Sequence, residues 1–358
     1  MSNEFHPLRV VEVASETTEA VTLTLAPEPD RADAFAFAAG QHLTLRAIVA
    51  GEELRRNYSL CVPPSAGRLQ VAIKKVDGGR FSHWAASSLK AGDVVDAMPP
   101  RGHFTWTFEA GRRRNYVAFA GGSGITPILS LIWTGLEAEP DSRFTLLYGN
   151  RHSGTVMFLE QLAALKDRHL ARFRIYHFLD DEFDDIDLFN GRLDEERVGR
   201  VLTSLVDPGS IDAAFVCGPG PMMDAAERAM VAAGVERDRI LVERFSTAPP
   251  SAALAAAARE AGRQAEGARI RITLDGRRRT VAFSAEAGSI LESARIAGLP
   301  APYACKAGVC ATCRAKLVEG SVQMLANYGL SSEEIAAGYI LTCQAVPKSS
   351  DVAVDYDA

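Results

Sequence analysis

Tyr116-Val117-Ala118-Phe119-Ala120-Gly121-Gly122-Ser123-Gly124-Ile125-Thr126-Pro127 is the stretch on which the reading of the fold turns. Five residues able to lie in an apolar interior run into three glycines around a serine, and an apolar helical segment follows. A strand buried on both faces, a tight turn and a helix make the pattern of a parallel βαβ unit. Further buried-strand candidates at 143–148, 172–178 and 213–217, separated by helical segments, extend it into a parallel α/β domain. Such sheets take ligands at the carboxyl ends of their strands, so the loops after Ala120, Tyr148, Phe178 and Cys217 are where a binding site is expected.

Upstream the rhythm differs. Val21-Thr22-Leu23-Thr24-Leu25, His42-Leu43-Thr44-Leu45 and Leu69-Gln70-Val71-Ala72-Ile73 alternate apolar and polar residues, with breaks at Pro27, Gly40, Gly51, Pro63 and Gly78-Gly79. Short strands at this spacing predict an antiparallel barrel or sandwich. Downstream, the alanine-rich charged run after Thr247-Ala248-Pro249-Pro250 reads as a linker, in part helical. Arg269-Ile270-Arg271-Ile272-Thr273-Leu274 then meets Asp275-Gly276, a hairpin signal. Ser289 and Glu292 predict a capping box for a helix ending near Gly298.

Directly after that helix come the cysteines. Cys305, Cys310, Cys313 and a distant Cys343 follow C-x4-C-x2-C…C, the plant-type [2Fe–2S] spacing. Small residues in Ala304-Cys305-Lys306-Ala307-Gly308-Val309-Cys310-Ala311-Thr312-Cys313 let the backbone wrap a cluster. A structural zinc site and buried thiols acting as small hydrophobes are the competing readings. Cys61 and Cys217 remain, far apart and with no reason to pair.

Composition narrows the function class. The 358 residues suffice for two or three domains, and a net charge of −6 offers no polycation for nucleic acid. The N-terminus lacks the regions of a signal peptide and no apolar run is long enough to span a bilayer, so the cytoplasm is the expected compartment and no membrane partner is expected. Residues 268–358 carry ten basic and nine acidic residues, so long-range steering toward a partner is expected to be modest, with local contacts around Lys306, Ala307 and Val309. A cluster accepts one electron whereas a nicotinamide gives a hydride, so a chain with both needs a flavin between them.

Arg56-Asn57-Tyr58-Ser59 offers an arginine for pyrophosphate, an aromatic face for a flat ring and a hydroxyl for its polar edge, although a solvated strand edge has the same composition. Gly78-Gly79-Arg80-Phe81-Ser82 is a glycine turn at a helix start, suited to phosphate or to an ordinary N-cap. Taken in order with Gly122-Ser123-Gly124-Ile125-Thr126-Pro127 and Cys217-Gly218-Pro219, these motifs resemble the ferredoxin–NADP reductase superfamily. With the cysteine module, the whole chain resembles its oxygenase reductases, and among these the phenylacetyl-CoA epoxidase reductases, on Gly51-Glu52-Glu53-Leu54-Arg55-Arg56, Tyr303-Ala304-Cys305-Lys306 and Ala336-Ala337-Gly338-Tyr339. Reductases of steroid hydroxylases or Rieske-type oxygenases are the near alternative. A redox-sensing flavin and iron–sulfur protein is the alternative from another class.

The resemblance implies an antiparallel β-barrel FAD domain over 1–110, a parallel α/β NAD(P) domain over 111–246, a linker over 247–267 and a β-grasp ferredoxin over 268–358. It implies that Arg56 holds the FAD pyrophosphate, Tyr58 packs on the isoalloxazine and Ser59 bonds near its reactive nitrogen. Gly79 and Ser82 would complete the phosphate cradle, with Ile73, Lys74 and Phe81 as further cofactor-binding positions. Gly122, Ser123, Gly124, Thr126, Arg151, Cys217, Gly218 and Pro219 would receive the nicotinamide dinucleotide. Ser59, Thr126, Cys217 and Glu243 are expected at the reacting centre, and Cys305, Cys310, Cys313 and Cys343 as iron ligands. NADPH is implied by the resemblance, while Leu179-Asp180-Asp181-Glu182 favours NADH, so both stay open. The implied partner is a separate di-iron oxygenase, since this chain has no paired E-x-x-H helices.

Overall fold

Alternation in the first hundred residues becomes six antiparallel strands: β1 (His6–Thr17), β2 (Ala20–Pro27), β3 (His42–Val49), β4 (Glu52–Ser59), β5 (Leu69–Lys74) and, after helix α1 (Arg80–Ser88), β6 (Val94–Ala97). They pair in the order β4-β3-β6-β1-β2-β5. A bridge from Leu60 to Val71 joins the continuation of β4 to β5 and closes the sheet, so the choice between sandwich and barrel falls to the barrel. Leu23, Leu43, Leu45, Val71 and Ile73 point inward and are fully buried, as their alternation requires.

The glycine turn opens the second domain as the sequence predicts. β7 (Asn115–Gly121), α2 (Ile125–Ala138), β8 (Arg143–Asn150), α3 (Leu159–Arg168), β9 (Phe173–Leu179), α4 (Glu195–Ser204), β10 (Ala213–Cys217), α5 (Gly220–Ala232) and β11 (Ile240–Glu243) follow in turn. The parallel sheet runs β11-β10-β7-β8-β9, with residues of α2 and α3 in the core on one face and of α4 and α5 on the other. Strand order reverses between β7 and β10, and the crevice above that point is where doubly wound sheets hold ligands. The first core also contains Ala20, Ala39, Cys61, Ala72 and Phe104, which join barrel and sheet through one apolar interior.

This computed structural model describes residues 4–245 and 252–358, in two compact units, one reaching to Phe245 and one holding the residues beyond it. The proposed linker needs correcting. Positions 247–251 lie outside the described residues, but Ala252–Gln264 forms helix α6. Ala261 packs against the core of the second unit and Ala265 and Ala268 lie inside it. Small alanines read as unable to build a core, yet their size is what lets a helix approach a sheet closely.

That unit contains β12 (Arg269–Leu274), β13 (Arg277–Ala282), α7 (Ile290–Ile296), β14 (Arg314–Glu319), β15 (Val322–Met324), α8 (Ser332–Ala336), β16 (Tyr339–Leu341), β17 (Ala345–Pro347) and β18 (Asp351–Asp355). Its main sheet, ordered β13-β12-β18-β14-β16, has the β-grasp arrangement. Asp275 and Gly276 both take positive φ, 51° and 69°, the requirement of the two-residue hairpin turn. Half of the anticipated capping box forms: Ser289 accepts from Glu292 N–H at 3.2 Å, while the Glu292 carboxylate turns to Arg295 and Lys306. No described helix is long and apolar enough to cross a membrane.

Candidate active site and cluster loop

Two loops meet above the switch point because glycine lets them. A Cβ on Gly124 would lie 2.1 Å from the Cys217 carbonyl oxygen, and one on Gly121 would lie 2.5 Å from the Pro219 ring. Gly218 is equally constrained, its virtual Cβ 2.8 Å from Gly121 N. No side chain fits between these backbones, so the turn after β7 and the turn after β10 form one surface. Thr126 lies at the start of α2, buried, its hydroxyl donating to the Ser123 carbonyl at 3.0 Å. At the start of α2 the Ile125 N–H donates to the Gly122 and Ser123 carbonyls and Pro127 has no N–H, which leaves the glycine turn itself as the part of this surface suited to an anion.

The barrel brings its own residues to the same place. Ser59 pairs with His42 in the β3–β4 register, and His42 Nδ1 is 4.0 Å from a Glu243 carboxylate oxygen. Glu243 in turn pairs with Cys217 across β10 and β11. Ser59, Cys217 and Glu243, far apart in sequence, thereby converge, with Thr126 on the adjoining turn. Cys217 is fully buried, which pushes its thiol well up from the ordinary range, and the Glu243 charge adds to that. It is therefore a neutral thiol.

His42 was not anticipated. Its only sequence signal is its place opening a strand ahead of the Arg-x-Tyr-Ser strand, and its contact with residue 243 spans the chain. Asn150 is another such residue: at the carboxyl end of β8, its side-chain amide is buried with no hydrogen-bond partner among the described residues. A polar ligand at that strand end would satisfy it.

The flavin motif is fitted to a ligand in the same sense. The Ser59 hydroxyl is buried without a partner among the described residues. Tyr58 packs against Phe81, ring centres 5.7 Å apart, and burial pushes its phenol upward. Arg56 is exposed, its guanidinium donating to the Arg55 carbonyl at 2.7 Å. An orphaned hydroxyl, an aromatic face and an available guanidinium fit a flavin dinucleotide.

Other residues expected at the cofactors have structural partners of their own. Phe81 and Ile73 are barrel core, leaving only their backbone for a cofactor. Ser82 Oγ donates to Gly79 O at 3.0 Å and accepts from Val76 N–H at 3.2 Å, so it builds the turn that starts α1. Lys74 is held by Glu19 at 3.5 Å, yet a Cβ on Gly122 would come within 3.9 Å of its ammonium, placing it beside the nucleotide turn. Arg151 is also bound to Glu19, 2.6 Å to each carboxylate oxygen. The Arg151 hydrogen bond pulls the Glu19 carboxyl below the usual range. Glu182, by contrast, accepts from Ser153 N–H and Oγ at 2.7 and 2.8 Å, tying the acidic loop to the one after β8.

In the second unit Cys305 and Cys310 lie against each other, the N–H of each 3.4 Å from the other's sulfur, while Cys313 and Cys343 share one core, with the N–H and hydroxyl of Thr342, next to Cys343, donating to Cys313 O. In each of these two pairs the neighbouring thiol holds one member, Cys310 or Cys343, below the ordinary thiol range. Among the described residues no three metal-ligating side chains converge on one ion position. Two pairs suit two irons, each taking two thiolates and sharing bridging sulfides, better than one tetrahedral zinc. Backbone N–H groups already face sulfur: Ala307 and Cys310 N lie 3.3 and 3.4 Å from Cys305 Sγ. The wrap needs left-handed backbone at Lys306, Gly308 and Ala311, with φ of 56°, 75° and 51°. For the two non-glycine residues that conformation costs about 1 kcal/mol each, and Gln344 helps to hold it by donating to Lys306 O at 3.0 Å.

These features define a class: an oxidoreductase with a flavin barrel, a nicotinamide-binding α/β domain and a [2Fe–2S] module. Family models agree, an oxidoreductase FAD-binding domain matching residues 6–106, an oxidoreductase NAD-binding domain 119–228 and a 2Fe-2S iron-sulfur cluster binding domain 272–348. The chain belongs to the ferredoxin–NADP reductase superfamily of oxygenase reductases that carry a C-terminal plant-type ferredoxin. It is 45% identical over 354 residues to one of the subunits of 1,2-phenylacetyl-CoA epoxidase from Escherichia coli, covering 99% of this chain and 98% of that one. To the ferredoxin reductase component of 3-ketosteroid-9-alpha-monooxygenase from Mycobacterium tuberculosis it is 33% identical, covering 98% and 95%. In fold it matches phthalate dioxygenase reductase with a TM-score of 0.60 at 23% identity, over 99% of this chain and 98% of that one.

Proposed function

We propose that this chain is the reductase component of a phenylacetyl-CoA epoxidase system, drawing electrons from NADH or NADPH and delivering them to a separate di-iron oxygenase. Bound FAD supplies the conversion of a hydride's electron pair into single electrons, which a [2Fe–2S] cluster carries one at a time. One observation supports hydride transfer at this site: Ser59, Cys217 and Glu243 are brought together where the barrel meets the carboxyl edge of the parallel sheet. Ser59 offers an unsatisfied hydroxyl to orient the ring, Cys217 a neutral and dry surface for the nicotinamide, and Thr126 and the glycine turn seat the pyrophosphate. Glu243 supplies negative charge beside His42 at the same edge. The substrate class rests on similarity to the Escherichia coli epoxidase protein. This reading places the chain in the cytoplasm, where free thiols persist.

The test is an anaerobic titration of protein reconstituted with FAD and cluster, using NADH and NADPH in turn, with flavin absorbance and the cluster's EPR signal followed together. Flavin bleaching followed by growth of the cluster signal, and reoxidation by the epoxidase's oxygenase component, is the expected sequence. Failure of both donors with both cofactors bound would sink the reading.

A further inference from the structure

Strand β13 forms one outer edge of the ferredoxin unit's main sheet and carries Arg277, Arg278 and Arg279 in succession, all exposed. Four other arginines of that unit's β-grasp part have carboxylate partners: Arg269 with Asp351 at 2.6 Å, Arg295 with Glu292 at 3.0 Å, Arg314 with Glu334 at 2.6 Å, and Arg271 with Glu319. The three on β13 have none among the described residues. Opposed residues of an antiparallel pair share a face, so Arg277 and Arg279, opposite Leu274 and Ile272, emerge on one side. Arg278, opposite Thr273, emerges on the other. The near balance of charge over 268–358 therefore hides a concentrated, unneutralised cationic edge in a chain whose net charge is −6.

That edge lies at the cluster end of the sheet. Thr273 O accepts from Tyr356 N–H at 3.0 Å, Tyr356 Oη donates to Thr342 Oγ1 at 2.8 Å, and Thr342 Oγ1 donates to Cys313 O at 2.9 Å. Arg278 is level with Thr273, then Asp355 on β18 and Lys316 on β14, three residues beyond Cys313. Three strand spacings separate Arg278 from Lys316, roughly 14 Å. Charged edges also guard against strand-to-strand aggregation, a role usually filled by lysine. Three arginines, each able to grip a carboxylate with two parallel hydrogen bonds, suit recognition better.

We propose that the Arg277–Arg278–Arg279 edge is the docking surface for an acidic face of the oxygenase component, presenting the cluster end of the ferredoxin unit to its electron acceptor. The proposal rests on the oxygenase-reductase reading above. The test compares the full-length holoprotein with its R277Q/R278Q/R279Q variant, using ferricyanide and the purified phenylacetyl-CoA epoxidase oxygenase component as alternative acceptors. The variant should keep its ferricyanide rate and lose about tenfold in kcat/KM for the oxygenase at low ionic strength. Its rate should also depend much less on salt between about 0.05 and about 0.3 M, where screening grows. R278E, which changes one exposed side chain, should act in the same direction if the triple variant loses its cluster. Unchanged oxygenase kinetics and salt dependence would overturn the proposal, and self-association of the variant with those kinetics unchanged would assign the arginines to edge protection instead. A wild-type protein that reduces ferricyanide but not the oxygenase would remove the partner reading and this proposal together.

Discussion

Arg151 is held in an ion pair that no local reading of the donor choice could include. An arginine after β8 suits a 2′-phosphate and the acidic loop after β9 suits a 2′-hydroxyl, but neither stretch reveals that Glu19 holds the guanidinium through both carboxylate oxygens. Glu19 comes from the barrel, 132 residues away, so no local pattern could have exposed it. A phosphate must compete with that carboxylate, and removing the carboxylate's charge should favour the phosphorylated donor. Glu19→Gln is expected to raise the ratio of kcat/KM for NADPH over NADH by about threefold, a size suited to exchange between exposed charges. Steady-state ferricyanide reduction with both donors measures it. An unchanged ratio would mean that Arg151 does not meet the ribose phosphate.

At the scale of elements, the joined turns after β7 and β10 make the most exacting demand on sequence. Gly124→Ala would place a methyl 2.1 Å from the Cys217 carbonyl, with backbone on both sides and no flexible side chain to yield. Overpacking of this kind costs about 1–3 kcal/mol, and separating the turns should also weaken nucleotide binding. Gly199→Ala, in the interior of α4 with open space around it, should instead stabilise by about 0.5–1 kcal/mol. Thermal melts and nucleotide titrations of the two variants give the comparison, and equal effects would remove close approach as the reason for Gly124. The strand–glycine–helix pattern was legible because turn chemistry is local, as was the hairpin at Asp275-Gly276. Helix α6 was only partly legible, since alanine spacing cannot say whether a core waits beside it. The turn-building role of Ser82 and the core place of Phe81 were not legible, because a motif gives order along the chain without showing which side of a turn each side chain takes.

Across the whole molecule, buried phenols tie both compact units to the same limit of pH. Tyr58, Tyr116, Tyr148 and Tyr356, half of the chain's eight tyrosines, are shifted upward with burial as the leading cause, Tyr116 to about 12. A raised folded-state value means that the native protein favours the protonated phenol. The stability this contributes is fully present below the unfolded value of about 10 and is lost as pH rises through the folded value. The flavin barrel and nucleotide domain hold three of these tyrosines, while Tyr356 lies in the ferredoxin core, donating to Thr342 Oγ1 at 2.8 Å. Each unit has its own core, so one transition need not report both. Loss of flavin and loss of cluster absorbance, followed separately above pH of about 10, should both steepen. Tyr356→Phe should lower cluster-unit stability at neutral pH by about 1 kcal/mol for the lost hydrogen bond. It should also flatten the alkaline slope of cluster loss while leaving that of flavin loss unchanged. Equal flattening of both would show that the two units unfold as one.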